Sequence, residues 1–132
     1  RYLSAIYAVI HPETGTVEIS RAGHPPALIL RADGKVQSCG PMAPLLGLVA
    51  DHAYQEETEI INPGDRLLLY TDGVYEIADE ELHRPPELPE VLSKYSHLKG
   101  EEFIAAVCAE FQKFRPAGYQ DDVTFLEIER LG

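Results

Sequence analysis

The chain has 132 residues, 45% of them apolar, enough to fill the core of a single domain, which argues against a disordered chain. Its 22 acidic and 11 basic residues leave a net charge of -11, which disfavours a nucleic-acid backbone or an anionic membrane as partner and suits cations or basic protein surfaces. Cys39 and Cys108 form no CxxC pattern and read as cytosolic thiols, while the absence of a leader-like start or an apolar run near the roughly 20 residues of a spanning helix points to a soluble, cytoplasmic protein.

The stretch "RYLSAIYAVI" is strand-like from its first residues, with both parities largely apolar, and so predicts a sheet covered on both faces. "HPETG" then separates it from the alternating "TVEIS", which predicts a hairpin. A second hairpin follows in "PALILRADGKVQS", around the Asp33-Gly34 turn. A Gly/Pro-punctuated loop, "CGPMAPLLGLVADH", leads into the edge-like strand "YQEETEII" and the Asn62-Pro63-Gly64 turn. Leu67, Leu68, Leu69 and Tyr70 read as a strand buried on both faces that ends at Asp72 and Gly73. From residue 77 to 98 the chain is acidic, proline-rich and weakly periodic, which predicts a mobile surface segment with a short helix over 87–95. "GEEFIAAVCAEFQKF" places Phe103, Ile104, Val107, Cys108, Phe111 and Phe114 at helical spacing, with Glu101 and Glu102 where the helix dipole favours acids. "PAG" ends this helix, and "DDVTFLEIE" supplies a last strand. Early strands and late, segregated helices predict an α+β fold, an antiparallel β-sandwich flanked by helices, and disfavour a doubly wound parallel sheet.

Two acidic points occupy comparable places: Asp72 after a buried strand, and Asp121-Asp122 before one. If these strands are antiparallel neighbours, the carboxylates converge at one rim, and hard oxygen ligands grouped that way suit Mg²⁺ or Mn²⁺. Gly73 would let the backbone turn directly after the ligand. Taken alone, "TDG" is better explained by turn composition as a strand end with a solvated aspartate, and "DD" as a loop with two surface acids. In "AGHPP", His24 has the pKa range of a general acid, but a strand junction bent at Gly23 and stopped by prolines explains the stretch better. His11, His52, His83 and His97 lack ligand spacing, and the acidic run at residues 79–81 reads as a solvated face. GxSxG, Walker, HExxH and GxGxxG signatures are all missing.

In this order, "SRAGHPPALIL", "PLLGL", "PGDRLLLYTDGVYE" and "QDDVTFLEI" resemble the metal-dependent protein phosphatases of the type 2C superfamily, and within it the bacterial SpoIIE type, which includes the regulators of sigma-factor partner switching. The resemblance runs over nearly the whole chain. It implies two antiparallel sheets flanked by helices, with two Mn²⁺ or Mg²⁺ ions at one end, removing phosphate from serine or threonine of a protein. Asp72 matches a metal-ligating aspartate, Asp121 a second, with Asp122 its neighbour, and Gly73 matches the glycine after the first ligand. "AGHPP" matches a family hallmark assigned here to structure rather than chemistry.

The family also carries an upstream Gly-Asp motif whose aspartate bridges the metals, and no such motif precedes Arg1 in this sequence. Residues 1–132 are therefore expected to be the C-terminal part of one SpoIIE-like phosphatase domain, truncated at its N-terminus and with little or no activity alone. The expected partners are a phosphorylated protein, such as an anti-sigma-factor antagonist, and an upstream sensor or receiver domain. The segment 77–98 departs from the usual run after the metal strand, which bears on substrate choice. Two other classes are a non-catalytic phosphatase-like module that binds a partner, and a metal-dependent hydrolase of small phosphoesters.

Overall fold

The computed structural model describes residues 1–75, 86–115 and 122–132. Among the described residues, seven strands form two antiparallel sheets. One has the order β1-β2-β5, from Ala5–His11, Thr16–Ala22 and Glu57–Ile60; the other has the order β4-β3-β6-β7, from Val36–Cys39, Ala27–Leu30, Arg66–Tyr70 and Phe125–Glu129. Two helices, α1 (Leu88–Lys94) and α2 (Gly100–Gln112), pack on the four-stranded sheet. The α+β sandwich expected from the order of elements is therefore the observed architecture.

The alternation of side chains along the central strands produces two cores at once. From β3 and β6, Ala27, Ile29 and Leu67 meet Val17 and Ile19 of the opposite sheet. The intervening Leu28, Leu30, Leu68 and Tyr70 face the helices, where they meet Leu88, Val91 and Leu92 of α1 and Phe103, Val107 and Phe111 of α2. A strand with cover on both sides needs apolar residues at every position, and this is why "RLLLY" has no polar parity. Thiol Cys39 is buried at the inner core, and burial, followed by the nearby carboxylates of Glu57 and Glu59, pushes its pKa up to about 11.

The turns follow their composition. Gly34 takes a positive φ of 89° in the β3–β4 turn, where the Asp33 carboxylate accepts the Lys35 amide at 3.0 Å. β1 begins at Ala5 rather than at Tyr2, because Leu3 leaves the ladder and forms an isolated bridge with Leu46.

The reading of residues 77–98 as a mobile surface segment is corrected where it is described. α1 sits inside that span, and its Leu88, Val91 and Leu92 are 5%, 2% and 0% exposed. The short helix expected over 87–95 is therefore present, and what the proline and acidic residues around it hid is the burial of its apolar face. Residues 76–85, with the acidic run and His83, lie outside the described residues, as does the "PAG" after α2. Among the described residues no helix is long and apolar enough to cross a membrane.

Two buried ionic groups anchor β6 at its start. Asp65 accepts amides from Asn62 (2.8 Å) and Ala32 (2.9 Å) and the Arg31 guanidinium at 2.9 Å, tying the turn before β6 to the β3–β4 hairpin. Burial alone would raise its pKa, but the Asn62 amide, the Arg31 guanidinium and the Ala32 amide together hold it below the ordinary carboxylate value. Next to it, Arg66 donates to the carbonyls of Leu98 (2.7 Å) and Ser96 (2.6 Å), stacks 4.5 Å over the Phe103 ring and faces Glu127 at 3.7 Å. Glu127 in turn accepts the Gly100 amide at the start of α2, a helix whose N-cap residue, Lys99, provides no side-chain cap. The pair thus clamps the helical layer to the sheet.

Replacing Arg66 by Met leaves Glu127 buried without its cation, and we expect a loss of about 3–5 kcal/mol in urea unfolding. Asp65→Asn should cost about 2–4 kcal/mol at pH 7. Because the folded pKa of Asp65 is depressed, its contribution is complete above the unfolded value of about 3.9 and is lost as pH falls through the folded one. The stability gap between parent and Asp65→Asn should therefore narrow below about pH 4, and a gap that widens in acid would refute this account.

Candidate metal centre

β6 and β7 are antiparallel neighbours, with Tyr70 opposite Phe125, so the end of one strand meets the beginning of the other. Asp72 opens a single turn of 3₁₀ helix, Asp72–Val74, directly after β6, and its side chain is exposed. Asp122, three residues before β7, is exposed at the same rim. Thr71 lies between them: its amide donates to the Thr124 carbonyl (3.0 Å), and its hydroxyl accepts the Thr124 amide (2.9 Å) and donates to the Asp122 carbonyl (3.2 Å). Asp121 lies outside the described residues.

Gly73 is required for a different reason from the expected one. Its φ is not among the positive values found at other glycines, so no left-handed turn is needed here. A Cβ at this position would lie 2.6 Å from the Asp122 carbonyl oxygen, so it is the close approach of the two segments that excludes a side chain.

Below the rim, Tyr70 is 6% exposed and packs against Tyr75 and Phe125 at centroid distances of 6.0 and 6.4 Å. Burial, and then Tyr75, pushes its phenol up to about 12, so it stays neutral and cannot exchange a proton near pH 7. Tyr70 is thus buried beneath the rim, while Asp72 and Asp122 above it are exposed.

The "AGHPP" stretch has the geometry of a junction. His24 Nδ1 lies 2.8 Å from the Pro25 carbonyl, and Arg21 donates to the His24 carbonyl at 2.7 Å and to the Gly40 carbonyl at 2.9 Å. Gly23 has φ of 57°, and a Cβ there would lie 2.3 Å from Leu45 of the "PLLGL" loop. Two of the sequence motifs are therefore in contact for steric reasons.

Among the described residues no group of three or more His, Cys, Asp or Glu side chains is placed to hold a metal ion. What the rim does offer is oxygen only: the carboxylates of Asp72 and Asp122, and no thiol or imidazole in the contacts that join them. Such a donor set fits Mg²⁺ or Mn²⁺ in kind, since small hard cations bind through one or two carboxylates and keep several waters.

The family profile described as Stage II sporulation protein E (SpoIIE) matches residues 1–131. The chain belongs to the SpoIIE family. Within 73 residues it is 36% identical to the phosphoserine phosphatase RsbP of Bacillus subtilis, a match over 55% of this chain and 18% of that protein. Among solved structures, the RsbU and RsbW domains of Rv1364c from Mycobacterium tuberculosis superpose with a TM-score of 0.73 at 26% identity, over 97% of this chain and 36% of that one. The SiaA-PP2C domain of Pseudomonas aeruginosa superposes with a TM-score of 0.78 at 18% identity, over 96% of this chain and 51% of that one, a likeness of fold. The chain thus spans about half or less of each of these three.

Thr71, Asp65, Arg66 and Glu127 escaped the sequence reading. Thr71 stands inside the quoted "YTDG", but its use depends on a strand that follows it by more than 50 residues in the chain. For Asp65 and Arg66 the available signal was a charged pair at the start of an otherwise apolar run. Gly73→Ala should force the Asp122 segment outward and lower stability by about 1–3 kcal/mol; an unchanged melting temperature together with unchanged amide shifts at Asp122 and Val123 would contradict the close approach.

Proposed function

We propose that this chain is the C-terminal part of a Mn²⁺- or Mg²⁺-dependent serine/threonine protein phosphatase domain acting in bacterial sigma-factor partner switching. The observation that carries the reading is the meeting of Asp72 and the Asp122 segment at one solvent-facing rim of the sandwich, across the Thr71 hydroxyl, in a chain of the SpoIIE family. The name of RsbP, a phosphoserine phosphatase, supports the reaction class, and the overlap with half of the SiaA-PP2C domain supports the partial extent.

In this reading Asp72 and Asp121 are direct ligands, Asp122 is a neighbouring acid, and Gly73 permits the close approach. When bound, two such ions supply a nucleophile from water at neutral pH and offset charge on the phosphoryl oxygens. The chain's own contribution is placement. β6, covered on both faces, holds Asp72 on a rigid mount, and Tyr70 packs beneath it with Phe125 beside it. No side-chain nucleophile is required. The substrate is a phosphorylated protein, such as an anti-sigma-factor antagonist, and an upstream sensor or receiver domain sets the activity.

Calorimetric titration with Mn²⁺ should show saturable binding to the chain that is lost in Asp72→Asn and in Asp121→Asn and weakened less in Asp122→Asn. A longer chain spanning the complete domain should dephosphorylate a phosphoserine protein only with Mn²⁺ or Mg²⁺, and Asp72→Asn should reduce the rate on the order of 100-fold or more. Turnover that survives metal chelation or the Asp72→Asn change would overturn the proposal, and metal-independent binding of a protein partner without turnover would favour a non-catalytic module.

A further inference from the structure

In a regular antiparallel ladder, residues facing each other in a hydrogen-bonded pair exchange two backbone bonds, each amide donating to the other's carbonyl. Thr71 and Thr124 break this rule in one direction only. The Thr71 amide donates to the Thr124 carbonyl at 3.0 Å, but the Thr124 amide donates to the Thr71 hydroxyl at 2.9 Å instead of to its carbonyl. The Thr71 carbonyl is thereby released from the ladder, and it accepts the Val74 amide at 3.1 Å, the bond that starts the 3₁₀ turn carrying Asp72. The same hydroxyl uses its own proton to hold the Asp122 carbonyl at 3.2 Å, and that carbonyl occupies the space where a Cβ of residue 73 would stand.

We infer that Thr71 is a positioning residue. Its hydroxyl replaces a backbone carbonyl in the ladder, so that β6 can turn at Asp72 while the segment bearing Asp122 stays locked beside it. The role needs a group that accepts and donates from one atom, one bond from Cβ, which limits it to threonine or serine. An isosteric valine fills the space but leaves the Thr124 amide and the Asp122 carbonyl without this partner. The consequence for metal binding rests on the reading proposed above, whereas the lock itself does not.

The test compares the chain with Thr71→Ser, Thr71→Val and Thr71→Ala. Amide hydrogen exchange at Thr124 reads the lock directly, and Mn²⁺ titration reads its effect on the acids. Thr71→Ser should stay near the parent in both. Thr71→Val and Thr71→Ala should exchange the Thr124 amide roughly tenfold faster or more and bind Mn²⁺ roughly tenfold more weakly. If valine distorts the fold as judged by circular dichroism, alanine decides. Parental exchange and parental Mn²⁺ affinity in the variants lacking the hydroxyl, or a serine variant that behaves like valine, would overturn the assignment. Should the parent bind no Mn²⁺, the metal reading fails for this chain, and the exchange rates alone decide the role of Thr71.

Discussion

Strand β6 is covered on both faces, and the rest of the molecule is arranged around that constraint. One parity packs against the three-stranded sheet through Leu67, and the other against the helices through Leu68 and Tyr70. Burying a Leu-sized side chain stabilises by roughly 1.5–3 kcal/mol, so a strand covered on both sides is among the most costly elements to displace. Its two ends must nevertheless emerge from the core, and both are secured by polar groups. At the start, Asp65 and Arg66 bond to backbone atoms of neighbouring segments; at the end, the Thr71 hydroxyl does so.

The contrast between the two ends explains the division of labour. The charges at the start are buried, with Asp65 and Arg66 each 3% exposed, and are consumed by structure: Asp65 bonds amides and the Arg31 guanidinium, and Arg66 bonds carbonyls and faces Glu127. At the far end, the neutral hydroxyl of Thr71 takes over the structural bonding, which leaves the carboxylates of Asp72 and Asp122 facing solvent. A carboxylate already satisfied by several amides, as Asp65 is, would have little left to offer a cation. The rim acids are available because another group holds the backbone in place.

The helical layer is tied to this frame at a few points. Arg66 spans β6, the loop before α2 and the Phe103 ring, and Glu127 reaches from β7 to the first amide of α2. Between the helices, Glu110 accepts from the Tyr95 hydroxyl at 2.7 Å, Lys113 at 3.0 Å and Lys94 at 3.1 Å, and these three donors pull its pKa down to about 2. This cluster lies near the surface, where solvent screens much of the attraction, so it orients α1 on α2 more than it stabilises the fold. Apolar contact through Leu88, Val91, Leu92 and Phe111 supplies most of the cohesion.

Much of this was legible in the residues alone. Period-two and period-3.6 patterns, turn dipeptides and a run without polar parity were enough for the strands, the hairpins, the long helix and the double burial of β6, because each depends on neighbours close in sequence. Four ordered motifs were enough for the family, and Asp72, Gly73, Asp121 and Asp122 were already marked as the acidic corner. Other features could not be read locally. The packing of α1 was hidden by its proline and acidic surroundings. The need for Gly73 comes from a carbonyl in another segment, and the hydroxyl of Thr71 has a role only once β7 lies beside β6. The sequence by itself therefore determined the elements and which carboxylates to watch. Only the tertiary structure decided how the backbone at Asp72 and Asp122 is held, because each restraint joins residues that the chain separates widely and folding alone brings within hydrogen-bond distance.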